Sequence, residues 1–275
     1  MNIVGCLDLA NEIKAKASAM VEENSLKPVV AIIKINKDKA SATYVKRKRE
    51  SMKSCGIESF LIELEEDSTT ETVKDTVREI SALDNITGVI VQMPVPKQID
   101  IFEVLEEIPP EKDVDCLTSK NLGLLAKGQA NILPATPRGI VEFLRRNTDL
   151  EGANVLMIGR SEIVGLPLSL MLQQENATVT LAHSKSRFYV NSYDIVISAI
   201  GKGESVLVEN PKAICIDVGI NFRDGKQVGD FDINHPYFEC KMVTAPKGGI
   251  GILTSSMVCL NATELALKIK EKEIR

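Results

Sequence analysis

Tyr44 and Lys48 stand four residues apart in Tyr44-Val45-Lys46-Arg47-Lys48. In a helix, positions i and i+4 share a face. A phenol beside a partly desolvated amine can stack on a planar substrate and move protons. The same letters belong to a charge run, KRKRE over residues 46–50, of the kind that commonly makes a solvated helix face. Gln92 ends the apolar run 88–92, ahead of Met93-Pro94-Val95-Pro96. If that run is a parallel strand, the amide lies at the carboxyl edge of a sheet, where ligands bind. Asp115, in KDVDCL, is a carboxylate after an apolar stretch, and an ordinary turn aspartate is the competing reading.

A second group of residues suggests a nucleotide. Residues 154–170, NVLMIGRSEIVGLPLSL, read as a strand, a turn and a helix start. Gly159 ends the strand, and Gly165 with Pro167 opens the helix. Free amides at a helix N-terminus can accept a pyrophosphate, and a proline in the first turn removes no intrahelical bond. The spacing is G-x5-G rather than G-x-G-x-x-G, so from spacing alone a purely structural turn is an equal reading. The next strand, ending near Ala182, runs into His183-Ser184-Lys185 without the acid that would hold ribose hydroxyls. Arg160 and Ser184 could converge on a 2′-phosphate instead, which favours NADP over NAD.

These residues need elements to position them. Apolar runs at 29–35, 58–64 and 88–92 alternate with helical patterns at 41–54 and from about 69 to 83, where Ser68 and Glu71 have capping-box spacing. A looser, proline-punctuated stretch covers 109–137. A second series of strands follows at 154–158, 178–181, 194–200 and 213–218, and a last helix spans 255–272 with Val258, Leu265 and Ile269 on one stripe. Strand–helix–strand alternation argues for parallel sheets and an α/β class.

The 275 residues suit one large domain or two ordinary ones. With 33 basic and 38 acidic side chains the net charge is −5, which offers no general attraction to nucleic acid. Aromatics at 4% without tryptophan give few stacking platforms for single strands. No apolar run approaches the roughly 18 residues of a membrane span, and Asp8 and Glu12 interrupt what a signal peptide would keep apolar. Six cysteines without a C-x-x-C pair read as reduced thiols of a cytoplasmic protein, and two histidines make a His-rich metal site an unfavourable reading.

In chain order, ASATYVKRK, GVIVQMPVP, EKDVDCLTSKNLGLL, PATPRGI, IGRSEIVGLP, ATVTLAHS, ISAIGK, IDVGIN, VGDFD and GGIG resemble the methylenetetrahydrofolate dehydrogenase/methenyltetrahydrofolate cyclohydrolase family over nearly the whole chain. The resemblance implies two α/β domains with a cleft between them. Residues 1–134 would form a folate-binding catalytic domain, onto which a C-terminal helix, 255–275, packs back; residues 135–254 would form a Rossmann-like NADP-binding domain. A homodimer through the nucleotide domains is implied as well. Lys48 matches the family's catalytic lysine, Tyr44 the aromatic that stacks on folate, Gln92 the amide that positions the lysine, and Asp115 the carboxylate that binds the pterin. Gly159, Arg160, Ser161, Val164 and Gly165 match the cofactor turn, Ser184 the 2′-phosphate site and Ile220 the nicotinamide end. Gly248 and Gly249 match a loop that approaches the substrate. The implied chemistry is hydride transfer from a methylene bridge to NADP+, then hydrolysis of the methenyl cation in the same cleft with Lys48 assisting.

The chain also departs from the family's pattern. Lys247-Gly248-Gly249-Ile250-Gly251-Ile252-Leu253-Thr254 keeps the glycines of P-G-G-V-G-P-M-T but not its prolines. Cys116 replaces a glycine, Ala135 a common cysteine, and Asn36 and Lys39 a glycine and a proline before the Tyr44 helix. A dehydrogenase with weak hydrolysis, and a silent NADP-binding protein, are the alternative readings; Tyr44, Lys48, Gln92 and Asp115 together speak against the latter.

Overall fold

The computed structural model describes residues 1–223 and 225–274, except the side chains of Lys39, Ala40, Glu273 and Ile274. In chain order its elements are β1 (Asn2–Val4), α1 (Leu7–Glu23), β2 (Val29–Lys34), α2 (Lys39–Ser54), β3 (Glu58–Glu63), α3 (Thr70–Ser81), β4 (Gly88–Val91), α4 (Ile101–Leu105), α5 (Ser119–Ala126) and α6 (Ala135–Asn147). The chain continues with β5 (Asn154–Ile158), α7 (Gly165–Gln174), β6 (Thr178–Ala182), β7 (Ile195–Ser198), β8 (Ile214–Asp217), β9 (Asn221–Arg223), β10 (Lys226–Val228), β11 (Met242–Thr244) and α8 (Ile250–Ile274).

The chain divides into two units. One comprises Asn11–Ala135 with the segment from Ser255 onward; the other comprises Met1–Ala10 and Thr136–Thr254. The first holds a parallel sheet of order β3-β2-β4. β2 takes its centre because VVAIIK is apolar almost throughout, and Val30, Ala31, Ile32 and Ile33 are completely buried. β3 lies at the edge, with Glu58 and Glu63 exposed at its ends. Val73 and Val77 of α3 pack on this sheet with Ile33, Val89 and Val91. The cap of α3 is Thr69, whose hydroxyl accepts the Thr72 N–H at 3.2 Å, and not Ser68 as the capping-box spacing suggested. The extended backbone of Thr69 (φ −87°, ψ 160°) starts the helix one residue later.

The second unit holds a six-stranded parallel sheet of order β1-β11-β8-β7-β5-β6. From β5 the chain goes outward to β6, then back across β5 to β7. The strand order therefore reverses between β5 and β7, and the crevice at such a reversal is where α/β sheets bind ligands.

An N-terminal domain of 1–134 would hold Met1–Ala10; the structure places those residues in the six-stranded unit instead. The cause is β1, three residues paired in parallel with β11 through Ile3 and Val243. Helix α8 starts five residues ahead of the expected 255, and Arg275 lies outside the described residues. Contrary to the expectation that no apolar run approaches a membrane span, Ile250–Lys272 is long and apolar enough to cross a membrane, with a mean hydropathy of 1.4 in its most apolar stretch. That stretch is 72% buried inside the protein, as a core helix would be.

Candidate active site

The turn before α2 is built from side chains. The Asp38 carboxylate caps the helix by accepting the Ser41 N–H at 2.7 Å. Asn36 accepts the Asp38 N–H at 3.1 Å and donates to the carbonyl of Pro94, so this turn is tied to the segment just beyond Gln92. One face of α2 then carries Tyr44 and Lys48. Lys48 is only 8% exposed, and its Nζ lies 3.5 Å from Oδ2 of Asp115. Tyr44 is half-buried; burial raises its phenol above the ordinary value, and the Arg47 guanidinium opposes that. The solvated-face reading therefore fails at Lys48, and Asp115 is more than a surface turn residue.

Asp115 is held by its neighbours. Asp113, 1% exposed, accepts the N–H groups of Leu117 at 3.0 Å and Thr118 at 2.9 Å, and the Asn121 amide at 2.9 Å. Burial pushes Asp113 up, and these donors pull it back. From α8, Nδ2 of Asn261 donates to the carbonyls of Val114 and Leu133, both at 2.8 Å. Cys116 has a φ of +57°, the left-handed region in which glycine is unstrained, and its thiol donates to the Ile132 carbonyl at 3.3 Å.

Gln92 follows β4, its N–H bonded to the Ile33 carbonyl at 2.8 Å. Its Nε2 donates to the Met93 carbonyl at 2.6 Å, and its buried Oε1 has no protein partner. The structure thus brings Lys48 to Asp115, while the described contacts of the Gln92 side chain run to Met93. Ser41, which sequence reasoning missed, also has a buried hydroxyl without a partner. Its signal was its place three residues before Tyr44, on the face that carries Lys48. An unsatisfied buried polar atom costs about 1–3 kcal/mol, so two of them in the unit that holds the Lys48–Asp115 pair suit a site that takes a polar ligand.

In the six-stranded unit the turn after β5 depends on missing side chains. Gly159 has a φ of +113°, and a Cβ there would lie 2.7 Å from the Ala199 carbonyl oxygen. A Cβ on Gly165 would lie 2.1 Å from the carbonyl oxygen of Gly159. Val164 begins α7 without a side-chain cap, and Oγ of Ser161 accepts the Val164 N–H at 3.2 Å. Arg160, Ser161 and Ser184 are exposed. Ile158 pairs with Ala182, so Arg160 and Ser184 each stand two residues past the same rung of neighbouring strands. Ile220 is half-buried beyond β8. Gly248, with a φ of +80°, accepts the Cys6 N–H at 2.9 Å, and a Cβ on Gly249 would meet the Ala245 carbonyl oxygen at 2.1 Å. Both glycines belong to the six-stranded unit, whereas Tyr44, Lys48, Gln92 and Asp115 belong to the three-stranded one. Among the described residues no group of three or more His, Cys, Asp or Glu could hold a metal ion.

A buried lysine–carboxylate pair on one α/β unit and a glycine turn at the switch point of another describe a two-domain, dinucleotide-linked enzyme. Residues 6–115 match the sequence profile of the tetrahydrofolate dehydrogenase/cyclohydrolase catalytic domain, and residues 134–270 that of the family's NAD(P)-binding domain. The chain is 39% identical over 269 residues to the bifunctional protein FolD of Macrococcus caseolyticus, covering 94% of this chain and 95% of that one. It is similar in structure to the bifunctional 5,10-methylenetetrahydrofolate dehydrogenase/cyclohydrolase of Thermoplasma acidophilum, with a TM-score of 0.91, 29% identity, and 98% and 100% of the two chains covered. A third relative, the N5,N10-methylenetetrahydrofolate dehydrogenase-cyclohydrolase of Trypanosoma brucei complexed with NADP cofactor and inhibitor, has a TM-score of 0.90 at 29% identity, over 99% and 98%. The chain belongs to the tetrahydrofolate dehydrogenase/cyclohydrolase family. It is an enzyme of folate one-carbon chemistry with an NAD(P)-binding domain.

Proposed function

We propose that this protein oxidises methylene-tetrahydrofolate with NADP+ and hydrolyses the resulting methenyl cation to formyl-tetrahydrofolate, Lys48 being the proton carrier. The observation that carries the reading is the Lys48–Asp115 pair, 3.5 Å apart and mostly buried, on the helix that also presents Tyr44. The pair engages one Asp115 oxygen, and a pterin's amino-pyrimidine edge offers adjacent N–H donors suited to a carboxylate. Tyr44 supplies an aromatic face for the pterin.

The six-stranded unit fits a dinucleotide with a 2′-phosphate. Its uncapped α7 offers first-turn amides to a pyrophosphate. Arg160 and Ser184 end neighbouring strands with donors, and no acid follows β6 to repel a phosphate. Bound there, NADP+ would accept the hydride of the methylene carbon, whose two nitrogen lone pairs stabilise the cation left behind. Gly159 and Gly165 keep the turn close to the sheet, Ile220 offers an apolar wall to the nicotinamide end, and Gly248 and Gly249 let a backbone come near the substrate.

Hydrolysis then needs a proton taken from water as it adds to the methenyl carbon, and one delivered to the departing ring nitrogen. Lys48 is placed for both transfers. The unpartnered Oε1 of Gln92 is an acceptor that can turn to the lysine or the water once substrate enters. We place the protein in the cytosol on its six free, buried cysteines. A homodimer through the six-stranded unit is supported by β6, an edge strand with Thr178, Thr180 and Leu181 exposed.

The test is to give the purified protein methylene-tetrahydrofolate with NADP+ or with NAD+. NADPH should form faster than NADH, and the methenyl absorbance should rise and then decay enzymatically. No reduced coenzyme from either would refute the reading.

A further inference from the structure

The motifs IDVGIN and VGDFD carry two buried carboxylates to which the reading above gives no role, Asp217 and Asp230. They are 4% and 0% exposed. Their arrangement is reciprocal. A Cβ on Gly219 would lie 2.0 Å from Oδ1 of Asp230, and a Cβ on Gly229 would lie 1.8 Å from Oδ2 of Asp217. Each motif's glycine makes room for the other motif's carboxylate.

Asp217 fixes the second motif by accepting the N–H groups of Asp230 at 2.9 Å and Phe231 at 3.2 Å. Above all burial, with the Asp230 charge adding to it, pushes Asp217 up to about 7. Asp230 turns its own oxygens to another target. Oδ2 accepts the Ser198 hydroxyl and the Ile200 N–H at 2.9 Å, and the Gly201 N–H at 3.4 Å. Oδ1 accepts the Lys202 N–H at 2.9 Å and the Asn221 amide at 3.1 Å. The main-chain carbonyl of Asp230 accepts from Ser205 at 2.8 Å and Val206 at 3.0 Å. Residues 199–206 are wound around this one side chain and its backbone.

That loop leaves the sheet beside the strand-order reversal. The Ala199 N–H bonds to the Ile158 carbonyl at 2.9 Å, and the Ala199 oxygen is the atom that a Cβ on Gly159 would strike. A dinucleotide crossing this edge with its adenosine end at β6 must put its other end on the β7–β8 side. There it meets residues 199–202 and the Ile220–Asn221 backbone, and Asp230 bonds to both segments.

We propose that Asp230 is a positioning residue for hydride transfer, its carboxylate holding the 199–202 loop and Asn221 in the arrangement that the nicotinamide end requires. It touches neither substrate nor coenzyme. The inference rests on the dehydrogenase and cyclohydrolase reading, and that reading supplies its control. Hydrolysis of methenyl-tetrahydrofolate, supplied directly without dinucleotide, needs no nicotinamide.

Asp230→Asn replaces one acceptor oxygen by an NH2 that must face donors. The KM for NADP+ should rise and the dehydrogenase kcat fall by about 10- to 100-fold, while hydrolysis and the folate KM stay within about twofold. Parallel loss of both activities in a folded Asp230→Asn protein overturns the proposal, as does full retention of both. If that variant does not fold, Ser198→Ala decides, because it deletes a single donor to Oδ2. The ratio of dehydrogenase to hydrolysis should drop about threefold, and an unchanged ratio overturns the idea. A wild type that forms no NADPH removes the underlying reading and the inference together; an active wild type with an unaffected Asp230→Asn removes the inference alone.

Discussion

The two units build their sites from different materials. In the three-stranded unit the candidate reactive groups are largely buried side chains braced by other side chains: Lys48 against Asp115, Asp113 gripping the loop beneath, Asn261 latching its carbonyls. In the six-stranded unit the glycine turn is main chain, and the polar side chains proposed to meet the dinucleotide, Arg160 and Ser184, lie exposed. Proton transfer needs one particular functional group in surroundings shielded from water. A pyrophosphate asks for amides, which nearly every residue has. The turn in the second unit therefore depends on what is left out, the Cβ atoms of Gly159 and Gly165.

The contrast can be broken by substitution. Lys48→Met should cut hydrolysis of methenyl-tetrahydrofolate by about 10²- to 10⁴-fold and leave NADP+ binding, followed by fluorescence, as it was. Weakened NADP+ binding in that variant would erase the division between the units. The next effect concerns Asp217, which with Asp230 puts buried carboxylates in the six-stranded unit as well. Its carboxyl moves from 3.8 to about 7 on folding. Below about pH 4 it is protonated whether the chain is folded or not. Between there and about 7 only the unfolded chain releases the proton, so the stability Asp217 lends declines as pH rises. The gap in unfolding free energy between wild type and Asp217→Asn should therefore shrink by about 1–4 kcal/mol across that window. Denaturant titrations giving a constant gap would count against it.

Smaller effects sharpen the same comparison. Gly165→Ala brings a methyl within 2.1 Å of the Gly159 oxygen. It should cost about 1–3 kcal/mol of stability and most of the NADP+ affinity, with hydrolysis tracking the folded fraction. Selective loss of hydrolysis would mean that the turn serves the wrong half. Least severe is Arg160→Ala, which should raise the KM for NADP+ by about tenfold and barely move that for NAD+. Equal changes for the two coenzymes would argue against a 2′-phosphate contact.

What the sequence discloses follows the range of the forces involved. β2 and β5 are legible because VVAIIK and NVLMI are nearly all apolar, and burial on both faces needs nothing subtler. The i, i+4 spacing of Tyr44 and Lys48 is equally local. The partner of Lys48 is not, since Asp115 lies 67 residues away and its neighbours say only that it ends an apolar stretch. β1 escapes for a related reason: three residues, two of them exposed, have no periodicity to read, and only pairing with β11 makes them a strand. Ser68 and Thr69 are both capable caps, and the chain chose between them by backbone angles that no residue name records. The order of motifs along the chain, as a family resemblance, supplied what periodicity could not.

The Asn261 latch also sets an order of assembly. It closes on a carbonyl 147 residues earlier in the chain, with every strand from β5 to β11 synthesised in between. The half of the protein that leaves the ribosome first is thus the last to be completed. A nascent chain halted short of Asn261 already carries Lys48, but the carbonyls of Val114 and Leu133 still lack the amide that ties them to α8.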